Sequence, residues 1–190
     1  MPSLAPTPLT DLRISKHQIP AIHNFPNTSL HSFPLLIYRS VFPPSLTARG
    51  VETHLTSVGV VKPAWRYTMY KQHHYHSTTH ELLVVVNGSA RLCFGGSATD
   101  DNTGKILAEV KKGDAMLVPA GVGHALIQDL EGGFEMVGSY PVEAERWDMC
   151  TGEEGEKSGE EWQRIRGLTW FDKDPIFGEK GPAVDVGKKQ

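Results

Sequence analysis

The chain has 190 residues, of which 39% are hydrophobic and 22% are charged, and its formal charge is −3 at pH 7. This length and composition are typical of one globular domain that buries a sizeable core without needing disulfide bonds or structural metal ions. The charged residues form no basic stripe, so we expect no nucleic acid and no membrane surface as a partner.

The cysteines and the N-terminus favour a cytoplasmic protein. Two cysteines, Cys93 and Cys150, are too few for a disulfide scaffold and favour a reducing compartment. The first residues lack the basic start and apolar core of a signal peptide. The longest apolar run, Leu82 to Val86, is far shorter than a membrane span.

The N-terminal third predicts an arm, a strand and a helix. Residues 1–34 carry six of the thirteen prolines and predict an extended arm that lies over a partner subunit or over its own sheet. Residues 35–38 read as a strand. Residues 45–58 predict a short helix with Ser45 as its N-cap and Gly59 at its end.

The middle of the chain predicts an all-β domain. Between residues 64 and 140, short β-prone runs alternate with glycine-rich turns. This texture is typical of a sandwich or a barrel. The runs are AWRYTMY, HELLVVVNG, ARLCFGG, ILAEV, AMLVPAG, HALIQ and FEMVGSYP.

The predicted division has three parts in one domain. After the arm, residues 35–142 form the β-barrel domain with its preceding short helix. Residues 143–190 form an acidic loop and a tail that packs on the barrel. A free tail rarely carries so many large apolar side chains. Those side chains are Trp162, Ile165, Leu168, Trp170 and Phe171.

Histidines cluster in the stretch HHYHSTTHE, residues 73 to 81. His74 and His76 point to the same face if the backbone is extended, and Glu81 adds a carboxylate. Imidazoles with a carboxylate suit transition metals rather than calcium. His124 is the one histidine after residue 80 and is a candidate for a further ligand. A histidine-rich surface loop without a ligand role is the alternative.

Two motifs resemble those of the cupin superfamily. Residues 74–88 read HxH, four residues, Glu81, six residues and Gly88, which matches the first cupin motif. Residues 113–128 contain Gly113, five residues, PxG, two residues and a histidine, which matches the second. The resemblance implies a single cupin β-barrel, a jelly roll also described as a double-stranded β-helix.

The resemblance also implies a metal site. By register with the motifs, the ligands of one divalent transition metal (iron, manganese, zinc or nickel) are His74, His76, Glu81 and His124. His73 and His80 flank them, and we expect these two to pack nearby or to orient a ligand.

The sequence departs from the cupin motifs at two places. Thr68 stands where the first motif opens with glycine, and Gln128 where the second ends with asparagine. Neither position is a metal ligand in cupins, so the departures bear on the shape of the pocket.

The chain further resembles a small single-cupin family of bacteria and fungi. The residues that carry this likeness are HHYHSTTHE, PAGVGH, and VGSYP followed by Arg-Trp-Asp. Some fungal relatives are described as cupin-domain oxidoreductases in polyketide gene clusters. The resemblance implies a metal-dependent oxidoreductase, able to use dioxygen, that acts on a small polyketide or phenolic intermediate of secondary metabolism. The alternatives are a redox-neutral isomerase, cyclase or decarboxylase, and a non-catalytic ligand-binding cupin.

Parity along the strands suggests which residues face the pocket. If residues 66–76 form one strand, Arg66, Tyr70 and Gln72 share a face with the histidine ligands. Gln128 shares parity with His124. We expect these four to contact substrate, with Tyr70 and Gln128 favoured.

Two further expectations concern core packing and assembly. Along the last strand, Phe134, Met136 and Tyr140 either line an apolar wall of the pocket or pack in the core, and we favour packing in the core. A proline-rich arm that covers a sheet edge is compatible with a homodimer.

Overall fold

The computed structural model describes residues 4–97, 103–152 and 158–188. None of the helices in these ranges is long and apolar enough to cross a membrane. The strands are β1 Arg13–His17, β2 Leu35–Arg39, β3 Val61–Tyr67, β4 Glu81–Asn87, β5 Ser89–Phe94, β6 Ile106–Lys111, β7 Ala115–Val118, β8 His124–Asp129 and β9 Glu135–Pro141. The helices are α1 Ala48–Val58, α2 Ser158–Gly167 and α3 Pro182–Gly187.

The strands form two antiparallel sheets. The larger has the order β1-β2-β7-β4-β9-β3 and the smaller has the order β6-β5-β8. This all-β architecture is that of a single cupin barrel, as the motifs predict. Each of the seven β-prone runs overlaps one of the strands β3 to β9, so the prediction of an all-β domain is confirmed.

The side chains of strand β4 alternate between two hydrophobic clusters that form the core. Leu82, Val84 and Val86 face one hydrophobic cluster, and Leu83 and Val85 face another. The first cluster packs the large sheet against α1 and the C-terminal segment, and the second fills the space between the two sheets. A strand that is buried on both faces reads as a continuous apolar run. By the same alternation, the first residue of β4 faces the barrel interior.

Helix α1 begins later than predicted. Thr47, rather than Ser45, is the N-cap, and its side chain accepts a hydrogen bond from the backbone N–H of Gly50 at 3.1 Å. Ser45 follows two prolines and is too far from the first helical turn to reach its free N–H groups. The helix ends at Gly59, whose φ of 76° is readily adopted by glycine.

The terminal segments lie against the barrel. Strand β1 pairs with β2 and extends the large sheet at its edge. In the C-terminal segment, Ile165 and Phe171 are buried. Of the stretch expected to begin as an acidic loop, residues 153–157 lie outside the described residues, and α2 follows. The three-part division of the chain stays a prediction.

Candidate metal centre

Three histidines and one glutamate meet inside the barrel. His74 lies in the irregular segment before β4 and pairs with His124, the first residue of β8, through two backbone hydrogen bonds of 3.3 and 2.8 Å. His76 follows two residues later, and Glu81 opens β4. All four residues are between 2% and 5% exposed, so they are buried within the barrel.

The side chains converge on one point. One ring nitrogen from each of His74, His76 and His124 lies within 4.8 Å of the other two. Oε2 of Glu81 lies 3.4 Å from Nε2 of His76 and 3.5 Å from Nε2 of His124. Three imidazoles and a carboxylate oxygen therefore face a common space.

The backbone fixes the tautomer of each histidine. Nδ1 of His74 donates to the carbonyl of Gln72 and Nδ1 of His124 to that of Val122, both at 2.9 Å. Nδ1 of His76 donates to the carbonyl of Asp148. A carbonyl accepts only, so each Nδ1 carries a proton and each neutral ring has its lone pair on Nε2. In this tautomer Nε2 is the nitrogen that can bind a metal ion.

Electrostatics keep the carboxylate ionised and two imidazoles neutral. Burial lowers the pKa of His74, and it lowers that of His124 well below its ordinary value. Burial alone would raise the pKa of Glu81, but His76, His124 and a tyrosine hydroxyl lower it to about 2. Burial alone would lower the pKa of His76, but the charge and hydrogen bond of Glu81 together with the carbonyl and charge of Asp148 raise it. An anionic oxygen therefore lies beside two uncharged rings, those of His74 and His124, and beside His76, whose affinity for a proton is increased.

A tyrosine holds the glutamate. The hydroxyl of Tyr140, on β9, donates to Oε1 of Glu81 at 2.7 Å. Nε1 of Trp65, on β3, donates to the oxygen of Tyr140 at 2.9 Å. The expectation that Tyr140 packs mainly in the core is wrong, because its ring faces the cavity and its hydroxyl contacts the carboxylate.

The segment after β9 closes one side of the site. The ring of Trp147 stacks on Tyr140 at 6.2 Å between centroids and meets His76 edge-on at 5.7 Å. The next residue, Asp148, accepts hydrogen bonds from the N–H and hydroxyl of Ser77 at 2.7 and 2.6 Å. The segment is thereby fastened to the chain that carries His76.

The centre lies in a cavity of about 290 Å³. Its walls are mainly aromatic rings and methionine side chains. Thr68, at the position where the first cupin motif opens with glycine, is also part of the wall. Beyond the four converging residues and Thr68, the lining consists of Trp65, Arg66, Tyr67, Met69, Tyr70, Leu83, Met136, Tyr140, Trp147 and Met149.

The comparisons with known proteins can be set beside this geometry. The family model described as "Cupin" matches residues 70–138. The uncharacterized protein YjlB of Bacillus subtilis (strain 168) is 32% identical over 157 residues, which cover 83% of this chain and 87% of that protein. The chain belongs to the cupin superfamily.

Solved structures similar to this cupin include larger proteins. An 11S globulin from Wrightia tinctoria matches with a TM-score of 0.35 and 14% identity over 78% of this chain and 29% of the globulin. An oxalate decarboxylase from Lactobacillus farciminis matches with a TM-score of 0.34 and 10% identity over 78% of this chain and 33% of the enzyme. This cupin spans about a third or less of each.

Two of the predicted pocket residues line the cavity of this cupin. Tyr70 lies at its rim, about half exposed, with its ring 5.7 Å from that of His74. Arg66 also lines it, but its guanidinium binds both carboxylate oxygens of Glu52, at 2.5 and 2.6 Å. Met136 and Phe134 both pack in the core as expected, and Met136 also lines the cavity.

The other two predicted pocket residues lie elsewhere. Strand β3 ends at Tyr67, so residues 66–76 do not form one strand, and Gln72 lies in an exposed bend outside the cavity lining. Gln128 is also exposed and absent from the lining. A β-bulge between Leu126 and Gln128 shifts the register of β8 against β5. The bulge inverts the parity that the prediction for Gln128 assumed.

The two flanking histidines of the cluster face away from the centre. Nε2 of His73 accepts a hydrogen bond from the N–H of Gly96 at 3.0 Å, and its ring contacts Phe25 edge-on. His80 accepts from the N–H of Ala120 at 2.9 Å and donates to the carbonyl of Thr169 at 3.1 Å. His80 thereby ties the start of β4 to the C-terminal segment.

The donor set fits a transition-metal ion. Three imidazoles, each with Nδ1 bonded to a backbone carbonyl, and one ionised carboxylate form a ligand set that suits a transition metal. The four residues are those of the two cupin motifs. Among the described residues, one group of three histidine, cysteine or acidic side chains lies close enough together to hold a metal ion. Its members are His74, His76 and His124.

Proposed function

We propose that this cupin is a metal-dependent oxidoreductase that acts on a small, neutral, aromatic or polyketide-like molecule. The observation that supports it best is the convergence of three imidazole nitrogens and an ionised carboxylate at one end of a mainly apolar cavity. His74, His76, Glu81 and His124 are proposed to hold the ion.

The ion, when bound, would supply an electron-transfer centre if it is iron or manganese and a Lewis acid if it is zinc. Four protein ligands on an octahedral ion leave about two positions for water, dioxygen or substrate. The fungal oxidoreductases that the sequence resembles support the redox alternative and a place in secondary metabolism.

The walls support the choice of substrate class. Trp65, Tyr140 and Trp147 offer aromatic surfaces, and rings stack favourably on such surfaces. Among the lining residues, Arg66 is the one arginine or lysine, and it forms a bidentate ion pair with Glu52. A neutral substrate that uses an oxygen atom to reach the ion suits this cavity better than an anion that needs a free cation.

The chemistry can be tested on protein purified without oxygen. Its metal content is measured, and oxygen consumption is then followed with phenols and aromatic aldehydes as substrates. We expect bound iron or manganese and substrate-dependent oxygen uptake that is lost in His124→Ala. The matched control, His73→Ala, changes a histidine of the same cluster that faces away from the centre and should retain uptake. Stoichiometric zinc with no uptake on any substrate would contradict the oxidoreductase proposal.

A further inference from the structure

The carboxylate of Glu81 divides its two oxygens between two sets of partners. Oε1 accepts the hydrogen bond from the Tyr140 hydroxyl at 2.7 Å. Oε2 lies 3.4 Å from Nε2 of His76 and 3.5 Å from Nε2 of His124. One oxygen therefore faces the histidines while the other is engaged by the tyrosine.

The direction of the Tyr140 hydroxyl is set by a tryptophan. Nε1–H of Trp65 donates to the phenol oxygen at 2.9 Å. A hydroxyl that accepts one hydrogen bond still has its own proton to give, and here that proton goes to Glu81. Donors in series polarise one another, so the Trp65 contact strengthens the bond from Tyr140 to the carboxylate.

Gly138 makes room for that tryptophan. Trp65 on β3 and Gly138 on β9 are Cα partners across the sheet. A Cβ at position 138 would lie 2.0 Å from Cε2 of the indole. Only glycine lets the ring lie against the backbone of β9, where its N–H reaches the Tyr140 oxygen two residues further along.

We propose that Tyr140, oriented by Trp65, makes Glu81 a one-oxygen ligand and so keeps a position on the bound ion free for substrate. A carboxylate can bind an ion through one oxygen or through both. With both oxygens on the ion, Oε1 would share its electron density between the ion and the Tyr140 hydroxyl, which weakens that hydrogen bond. Tyr140 and Trp65 are thus positioning residues that act through Glu81, and the inference rests on the proposed metal site.

The test counts water on the ion. Protein is loaded with Mn²⁺, and the relaxation rate of water protons per bound ion is compared between wild type and Tyr140→Phe. With one-oxygen binding, about two of six positions hold exchangeable water, and with both-oxygen binding about one does. We expect the relaxation enhancement of Tyr140→Phe to fall to about half of the wild-type value at full occupancy. Tyr38→Phe is the matched control, because that buried hydroxyl also donates to a carboxylate, that of Asp174 at 3.1 Å, but lies outside the cavity lining.

The outcomes separate this inference from the function on which it rests. Wild-type protein that binds no Mn²⁺ would overturn this inference, and wild-type protein that binds none of Mn²⁺, Fe²⁺ and Zn²⁺ would overturn the metal site as well. Wild-type binding with an unchanged enhancement in Tyr140→Phe, or no Mn²⁺ binding by folded Tyr140→Phe, would overturn this inference alone. Circular dichroism checks the fold. If Tyr140→Phe does not fold, the same measurement is made on Trp65→Phe. We expect its relaxation enhancement to fall below the wild-type value, and an unchanged enhancement would contradict the proposal.

Discussion

The imidazole of His76 is held by a residue 72 positions later in the chain, since its Nδ1 donates to the backbone carbonyl of Asp148. The carboxylate of Asp148 accepts hydrogen bonds from Ser77, and Nη1 of Arg164 on α2 donates to the Ser77 hydroxyl at 2.9 Å. The C-terminal segment thus supports the orientation of one proposed ligand. Partners of this kind are known to tune metal affinity.

Asp148→Ala should weaken metal binding by about 10- to 100-fold, because the segment that orients His76 loses its attachment to Ser77. Affinity is measured by competition with a chromophoric chelator. Asp148→Asn retains an acceptor for the Ser77 N–H and should recover part of the loss. Asp172→Ala, at an exposed position of the same C-terminal region, is the control. An Asp148→Ala variant that binds as tightly as wild type would show that this attachment has no influence on the site.

Two neighbouring histidines should respond differently to substitution. His76→Ala removes a proposed ligand and should reduce metal affinity by more than about 100-fold, beyond the effect expected for a supporting residue. His73→Ala removes a ring that contacts Phe25 and Gly96 instead, so bound metal should stay near the wild-type level. Elemental analysis after dialysis measures both. Loss of metal in His73→Ala with retention in His76→Ala would mean that the ligand register is wrong.

The cavity wall should govern the affinity for an aromatic ligand. Trp147→Ala removes a ring that stacks on Tyr140 and meets His76, and we expect it to weaken binding of a neutral phenol by about tenfold. Gln128→Ala, at an exposed position outside the lining, should leave the affinity unchanged. Titration calorimetry on metal-loaded protein gives both values. Equal affinities in the two variants would place the phenol outside this cavity.

The motifs and the β-prone runs carried much of the prediction. The run HELLVVVNG predicts the strand that is β4, and the fixed offsets within the motifs identify four residues that the structure brings together. The resemblance also separates His74 and His76 from His73 and His80. The ion itself stays a prediction.

The supporting residues could not be predicted from local sequence. The contact between Tyr140 and Glu81 joins residues 59 positions apart and depends on the pairing of β9 with β4. Trp147 and Asp148 lie in an irregular segment without periodicity. Gln128 was misplaced because a bulge in β8 is not visible in an alternating pattern. Long-range pairing and local irregularity are properties of the folded chain rather than of its local pattern.

The stability of the protein should depend on pH through His31. Its Nε2–H donates to the carbonyl of Ala120 at 2.8 Å, and its Nδ1 accepts from the N–H of Phe33 at 3.0 Å. Burial lowers the pKa of His31 below its ordinary value of 6.5, despite an opposing effect of the Ala120 hydrogen bond. The unfolded chain therefore takes up this proton first, so this contribution to stability is full above about pH 6.5 and is lost as the pH falls below it.

Thermal unfolding between pH 7 and 5 measures this effect. Protonation removes one hydrogen bond worth about 1 kcal/mol, which corresponds to about 2–4 °C in Tm for a chain of this size. His31→Asn should show a smaller fall in Tm over this range than wild type. His23→Asn, at an exposed position, should follow wild type. A fall in His31→Asn as large as that of wild type would assign the pH dependence to other groups.

The central claim is that three imidazoles and one carboxylate bind a single transition-metal ion inside this barrel. X-ray absorption spectroscopy of the metal-loaded protein tests it most directly, since it reports the type and number of atoms around the ion. We predict scattering from three imidazole rings and from oxygen atoms, at about 2.0 to 2.2 Å. Fewer than two imidazoles, or a sulfur neighbour at about 2.3 Å from Cys93 or Cys150, would contradict the claim.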